Sequence, residues 1–283
     1  MFFGLLTALG WGTADLAAAL SGRRIGSNLT AGIAQVTSLL FLLAMGVALG
    51  QHFHAHGQEV AALLANGVLA SAAYVALYRS LELGPVALVS PIVAAYAAIS
   101  IFLAVIFLRE SMTGVAVVGA IVTLAGAVLT STDLKLLRSG RELSSVGVRW
   151  AFVSMVLFGV ATFVLGTYSQ RIGWYSASLL SRVGNVAGVL TFLFIVRRSI
   201  PRGRPMAAGA AIAALVGIAD MIGVVAYARG TELGLVTVVS AASAAFILIP
   251  VIGGLVIFRE RPAPSQMAGV ALVGLGLALL GLG

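Results

Sequence analysis

Residues 78–110 read YRSLELGPVALVSPIVAAYAAISIFLAVIFLRE, and residues 228–260 read ARGTELGLVTVVSAASAAFILIPVIGGLVIFRE. Each stretch holds one long apolar run between an E-L-G turn and an R-E pair, and the spacing of turn and pair is the same in both. An R-I-G triplet adds a match near the start of each half, at residues 24–26 and 171–173. Such matches rarely arise by chance in a chain this poor in charge, so the sequence predicts two homologous halves.

The composition predicts an integral membrane protein. Only 9% of the residues are charged, 60% are hydrophobic, and the mean hydropathy is +1.10, whereas soluble domains carry about 25% charged residues. The absence of cysteine excludes a disulfide framework and a thiolate metal site. The formal charge of +8 comes from basic residues in short loops, where we expect them to fix the topology rather than to bind nucleic acid.

Ten apolar runs are long enough to cross the hydrocarbon core, which takes roughly 17 to 25 helical residues. They lie at about residues 2–21, 29–50, 59–80, 86–108, 113–131, 148–170, 176–197, 207–229, 235–258 and 266–282. Lipid offers the backbone no hydrogen-bond partner, so these runs must be helices. We predict an all-α polytopic membrane protein with ten transmembrane helices. They form two inverted five-helix repeats, because an odd number of spans turns the second copy over.

The predicted first repeat covers residues 1–131, the linker 132–147 and the second repeat 148–283. Loop charges predict the orientation of these segments. If both termini lie outside the cytoplasm, the inner loops hold thirteen Lys and Arg residues and the outer loops hold three. Basic residues concentrate in cytoplasmic loops, so we expect both termini to face away from the cytoplasm, in an inner or plasma membrane.

The pattern resembles the drug/metabolite transporter superfamily, and each half resembles one EamA domain. The motifs that carry this resemblance are Trp11-Gly12, the Y-x-x-x-E-L-G turn that begins at Tyr78, and the two R-E pairs. The resemblance implies a central cavity lined by helices 1–4 and 6–9, with helices 5 and 10 as scaffold. It also implies transport of an amino acid, another small metabolite, a purine, a nucleotide sugar or a toxic organic compound. The predicted termini depart from it, since many members are drawn with cytoplasmic termini.

Three charged residues lie well inside the predicted spans, away from their ends: Asp15, Arg182 and Asp220. A charge at this depth costs about 2.5 to 3.5 kcal/mol, so such groups usually face a cavity or a partner. At about 1.5 Å per residue, Arg182 and Asp220 fall on the same side of the midplane, with Asn185 on the face of Arg182. We expect Asp15 and Gln35 on the other side, and Asn66 is a further polar group within a span.

Each of these groups has two interpretations. Arg182 and Asp220 form either a structural ion pair or an anchor for a zwitterion, in which Arg182 binds a carboxylate and Asp220 an ammonium. Asp15 has no basic residue at its depth. It either carries protons during transport or stays neutral and hydrogen-bonded.

Aromatic residues are candidates for the walls of the pocket. Trp11 precedes Asp15 by four residues, and an aromatic face beside a carboxylate can hold an ammonium group. Further candidates are tyrosines inside the spans, at Tyr74, Tyr78, Tyr96 and Tyr227. Pro91 and Pro250 lie inside helices 4 and 9 and are expected to kink them, which suits gating.

The chain lacks the motifs of a nucleotide-driven motor or of the common hydrolases. Three histidines, at 52, 54 and 56, share one loop without the spacing of a defined metal site, and we expect that loop to be solvated. The R-E pairs are expected to clamp loops. No catalytic residue, metal or cofactor is expected.

These observations predict a secondary transporter that exports a small organic metabolite such as an amino acid, by alternating access and with proton coupling through Asp15. The alternatives are an exporter or exchanger of cationic amines or drugs and, in other classes, an intramembrane enzyme or a structural membrane protein. The expected partners are the solute and the bilayer, without nucleic acid. The functional unit is a monomer or a homodimer.

Overall fold

The computed structural model describes residues 2–110, 113–130, 146–196 and 206–282. Within these ranges the chain forms ten helices and no strand, which confirms the all-α class. The helices of the first half are α1 (Phe2–Ile25), α2 (Ser27–Ala48), α3 (Gly57–Leu83), α4 (Val86–Leu108) and α5 (Gly114–Thr130). Those of the second half are α6 (Val146–Ile172), α7 (Trp174–Val196), α8 (Met206–Glu232), α9 (Val236–Val256) and α10 (Pro264–Leu282).

Eight of these helices, all except α5 and α10, are long and apolar enough to cross a membrane. The apolar helices α5 and α10 are shorter, at 17 and 19 residues, and pack against each other. The ten helices follow the ten predicted apolar runs in order. Most of the predicted linker, 132–147, lies outside the described residues.

The repeated motifs end and begin helices in the same way in both halves. Gly26 and Gly173 have φ of 91° and 83°, a left-handed conformation that glycine adopts without strain, and each forms the one-residue turn to the next helix. Arg109 and Arg259 follow α4 and α9 with φ of 56° and 53°. The sequence repeat is therefore also a repeat of backbone conformation.

The packing pattern is the same when the two halves are exchanged. Helix α1 packs on α8 as α6 packs on α3, and α2 packs on α8 as α7 packs on α3. Helix α1 packs on α9 as α6 packs on α4, and three further pairs, α2 with α7, α4 with α9 and α5 with α10, join equivalent helices. The two sets of five helices are interleaved across this pseudo-symmetric interface.

Contacts between the helices give their relative directions. Gly126 approaches Val273 while Thr130 approaches Gly269, so α5 and α10 run antiparallel. Helices α2 and α7 are also antiparallel, because Gly32 approaches Leu193 whereas Gly46 approaches Tyr175. Equivalent helices that run in opposite directions confirm the predicted inverted arrangement.

Glycines allow the closest helix contacts, as expected for packing in membranes. A Cβ built on Gly269 would lie 2.3 Å from the backbone nitrogen of Thr130, across the α5–α10 interface. A Cβ on Gly184 would lie 2.2 Å from the backbone oxygen of Leu64, across the α3–α7 interface. No larger side chain fits at either position without moving a helix.

Helices α4 and α9 are both interrupted near their middle. Helix α4 breaks at Ala95, and α9 contains a 3₁₀ segment at Ala244–Ile247. These sites are equivalent in the repeat, but the prolines are not, since Pro91 precedes its interruption and Pro250 follows its own. The prolines lie beside the breaks and inside the helices, as predicted, and their role in gating stays a prediction.

The acidic residues of the R-E pairs cap helices of the opposite half, which confirms that they act as clamps. Glu260 accepts hydrogen bonds from the first two backbone nitrogens of α4, both at 2.8 Å. Glu110 accepts the equivalent bonds from α9 at 3.1 and 3.0 Å. Glu260 also pairs with Arg23 at 3.1 Å. At the position equivalent to Arg23, Gln170 donates instead to the backbone oxygen of Gly234.

Candidate functional site

A cavity of about 80 Å³ lies between the two halves. Helices α1, α3 and α4 of the first half and α6, α7, α8 and α9 of the second half line it. Eight of the eleven predicted binding residues border it, namely Trp11, Asp15, Asn66, Tyr74, Tyr96, Arg182, Asn185 and Asp220. The other three, Gln35, Tyr78 and Tyr227, are buried behind the lining residues.

The predicted pairing of Arg182 with Asp220 is confirmed. Arg182 Nη2 lies 2.9 Å from Asp220 Oδ2, in a contact that is an ion pair rather than a well-aligned hydrogen bond, and both side chains are about 4% exposed. Tyr74 donates its hydroxyl to Asp220 Oδ1 at 2.7 Å, and its ring lies 5.5 Å from the guanidinium carbon. Arg182 Nη1 donates to Gln35 Oε1. The guanidinium is therefore held by partners on three helices.

The depth estimate from the sequence was wrong for Gln35, which was expected on the opposite side of the midplane from Arg182. Helices α2 and α7 are antiparallel, and each of these residues lies a few positions from the centre of its helix. The extended side chains of Arg and Gln bridge the remaining separation. Asp15 and Asp220 were also expected on opposite sides, yet both border the same cavity.

Asp15 lies in the α1 wall of the cavity and is 6% exposed. Across the described ranges, no side chain forms an ion pair or a hydrogen bond with its carboxylate. Trp11, one turn earlier, stacks on Tyr227 with ring centroids 5.6 Å apart and meets Tyr96 edge-on at 5.9 Å. Its indole nitrogen is buried and unpaired. This wall therefore combines an unpaired carboxylate with an aromatic surface.

The cavity wall formed by α7 together with Asn66 of the adjacent helix α3, called the α7 wall below, carries uncharged polar groups. Both side-chain polar atoms of Asn185, the hydroxyl of Ser178 and the oxygen of Asn66 are buried without a hydrogen-bond partner. The nitrogen of Asn66 is bound, to the Ala161 backbone oxygen at 3.2 Å and to Ser181 Oγ at 3.3 Å. Buried polar groups in native proteins are almost always paired, so these groups are candidates to bind a polar group of a solute.

The sequence analysis missed Ser178 and Ser181, which share this wall with Arg182 and Asn185. The four positions are spaced by three, one and three residues, which places them on one face of a helix. That spacing was the available signal. Serine inside a membrane helix often bonds to its own backbone, so it did not stand out beside the charged residues.

Tyr96 and Tyr227 are held by serines of α9 behind the aromatic wall. The Tyr96 hydroxyl lies 2.6 Å from Ser243 Oγ, and the Tyr227 hydroxyl lies 2.8 Å from Ser240 Oγ. These bonds fix the rings that surround Trp11. The tyrosines position the indole, and Tyr96 also borders the cavity directly.

The electrostatic balance of the cavity follows from three side chains. Asp15 and Asp220 are carboxylates, Arg182 is the one charged cation among the lining residues, and Asp220 already neutralises it. With both carboxylates ionised, the lining carries one net negative charge. The described part of the chain gathers no group of three metal-ligating residues, and His52, His54 and His56 are exposed in their loop.

Comparison with known proteins supports a transporter. Residues 1–132 match the EamA-like transporter family. A protein of known crystal structure is 17% identical, with a TM-score of 0.71 over 99% of this chain and 96% of its own. At this identity the likeness shows the fold alone. No curated protein matches the chain. The family match over the first half and the apolar helices support a multi-pass membrane transporter of the drug/metabolite type.

Proposed function

We propose that the chain is a secondary transporter, which exports a small organic solute bearing an amino group and works by alternating access. The observation that carries this proposal is the cavity between the inverted halves, where an unpaired carboxylate faces unpaired amide and hydroxyl groups. Charged and polar groups inside a membrane usually mark a solute or ion pathway. Solute sites of inverted-repeat transporters lie where the two repeats meet.

The amino group of the solute binds at the α1 wall. Asp15 supplies a negative charge there, and Trp11 supplies an aromatic face, which together attract an ammonium ion. The first candidate solute is an amino acid, whose carboxylate would approach Arg182. The second candidate is a cationic amine, and the contacts of Arg182 favour it, because Asp220 and Gln35 already occupy that guanidinium.

Alternating access uses the pseudo-symmetry of the two halves. The interruptions of α4 and α9 lie at equivalent positions, at Ala95 and at 244–247, and give each half a point where a helix can bend. Bending of α4 in one state and of α9 in the other would open the cavity to opposite sides. Asp15 binds a proton when the amino group leaves, which couples export to proton entry.

Flux measurements in proteoliposomes test this proposal. Purified protein is offered a panel of amino acids, amines, nucleobases and sugars, with and without a pH gradient. Saturable movement of one solute class supports transport, and a dependence on the gradient supports proton coupling. The proposal fails if folded protein moves none of these solutes.

The role of Asp15 has a separate test. Asp15→Asn keeps the shape of the side chain and removes its charge, so uphill flux should be lost while exchange at high solute concentration continues with weaker affinity. Glu59→Gln is the matched control, since Glu59 lies outside the cavity and caps α3. Equal loss of uphill flux and exchange in Asp15→Asn would refute the coupling role.

A further inference from the structure

We infer that the solute is a monocation with an uncharged amide group, and that the α7 wall binds this amide while Asp15 binds the cationic nitrogen. This inference rests on the proposed function and names the class of solute. It begins from the polar atoms that the protein leaves unpaired around the cavity: Asn185 Nδ2, Asn185 Oδ1, Ser178 Oγ and Asn66 Oδ1.

The donor and acceptor capacity of these atoms indicates which solute group can form hydrogen bonds with all of them. Two of them, the amide oxygens of Asn185 and Asn66, accept hydrogen bonds only, and Asn185 Nδ2 donates only. A carboxylate accepts and never donates, so it would leave both amide oxygens unpaired. A primary amide donates through its nitrogen and accepts through its oxygen. It can therefore bond to the oxygens of Asn66 and Asn185 and to the nitrogen of Asn185.

Because these unpaired atoms are buried, the absence of a protein partner is energetically significant. Asn185 is 2% exposed, Ser178 is 0% and Asn66 is 5%, so all three side chains are shielded from bulk solvent. The nitrogen of Asn66 is bound to α6 and α7, which fixes the direction of its free oxygen. The α7 wall is thus an ordered surface.

The charges of the cavity disfavour a solute that carries an anionic group beside its cationic nitrogen. Arg182 is the one charged cation among the lining residues, and it lies 2.9 Å from Asp220. A solute carboxylate would compete with Asp220 for the same guanidinium beside the charge of Asp15, and like charges repel strongly where water is scarce. A single positive charge on the solute instead balances the net negative charge of the lining.

The apolar part of the solute lies between the two polar walls. Leu77, Phe158 and Val224 line the cavity there and offer no hydrogen bonds. The solute therefore has a cationic nitrogen at one end, a compact apolar body and an amide at the other end. Small amides of amino acids have this layout.

Three compounds with one side chain test the inference: leucinamide, leucine and 3-methylbutylamine. They present an ammonium with an amide, an ammonium with a carboxylate, and an ammonium alone. Binding to purified protein is measured by calorimetry at a pH where all three amines are protonated, and flux is measured in proteoliposomes. Leucinamide should bind at least about tenfold more tightly than either of the others, because a site built for hydrogen bonds rejects analogues that lack them.

Variants then locate the amide. In Asn185→Leu and in Asn185→Ala, the advantage of leucinamide over 3-methylbutylamine should fall to within about twofold, because only leucinamide loses hydrogen bonds to the amide of Asn185. Ser90→Ala is the control, since the Ser90 hydroxyl is also buried and unpaired but does not line the cavity. Thermal unfolding of each variant verifies its fold, and Asn185→Ala provides the test if Asn185→Leu does not fold.

Several outcomes would overturn the inference. These are equal binding of leucine and leucinamide, an equal loss of affinity for the three compounds in Asn185→Leu, and no binding of any of the three. In each of these cases the broad solute panel still decides whether the chain is a transporter. Movement of another solute class in that panel would leave the proposed function standing without the amide site.

Discussion

Removal of Arg182 should destabilise the protein far more than removal of an exposed arginine with the same ion-pair geometry. Arg182 lies 2.9 Å from Asp220 with both side chains about 4% exposed, so Arg182→Met leaves a buried carboxylate without its cation. Breaking a buried pair in this way costs about 3–5 kcal/mol. Arg229 lies 2.8 Å from Glu232 but is 40% exposed, and Arg229→Met should cost about 0–1 kcal/mol.

The double variant Arg182→Met/Asp220→Leu separates charge from packing. Both charges are then absent, but the oxygen of Gln35 loses its donor and the hydroxyl of Tyr74 loses its acceptor. Gln35 is unpaired in Arg182→Met as well, so the two variants differ by an unpaired hydroxyl, at about 1–3 kcal/mol, against an unpaired buried carboxylate, at about 3–5 kcal/mol. The double variant should therefore be more stable than Arg182→Met alone. Export of leucinamide should survive in the double variant, because no solute carboxylate needs the guanidinium.

Denaturant titration of the protein in lipid bicelles gives the free energy of unfolding for the four members of this cycle. The reasoning is refuted if the cost of the double variant equals the sum of the costs of Arg182→Met and Asp220→Leu. It is also refuted if Arg182→Met costs no more than Arg229→Met. Loss of all flux in a stably folded double variant would restore Arg182 as a solute anchor.

Three further predictions concern packing and capping. Gly184→Ala should lower the free energy of unfolding by about 1–3 kcal/mol, because the new methyl group meets the backbone of α3. Gly274→Ala has open space around the new methyl group and should change the free energy of unfolding little. Equal effects of the two substitutions in a denaturant titration would contradict this reasoning. Glu260→Gln should lower the free energy of unfolding by about 1–3 kcal/mol. Its effect should exceed that of Glu110→Gln, because Glu260 also forms an ion pair with Arg23. The reverse order would count against the assigned helix caps. Tyr74→Phe removes a donor from a buried carboxylate and should cost about 1–3 kcal/mol, which unchanged unfolding would disprove.

The sequence predicted the parts of the site that depend on one helix or on the repeat. Buried charges are rare in membrane helices, so Asp15, Arg182 and Asp220 stood out, and their depths were sufficient to pair the last two. Depth along a helix does not give the rotation of that helix or the reach of a side chain. The bond from Arg182 to Gln35 was missed for that reason.

The cavity itself could not be predicted from local patterns. Its walls come from α1, α3 and α4 of the first half and from α6, α7, α8 and α9 of the second, so the lining residues become neighbours only after the halves interleave. Ser178 contributes because α7 turns one polar face toward that space. Only its helical spacing from Arg182 and Asn185 distinguishes it from Ser176, which lies on another face and accepts a hydrogen bond from the His54 backbone.

The interleaving of the halves also imposes a delay on synthesis. Helix α1 ends at Ile25, and its main partner α8 begins at Met206. At translation rates of about 5–20 residues per second, roughly 10 to 35 s pass before the ribosome has made that partner. During this time the carboxylate of Asp15 lies in the bilayer without the wall that later encloses it. The nascent first half thus exposes the face of α1 that α8 later covers, for a time set by the rate of translation.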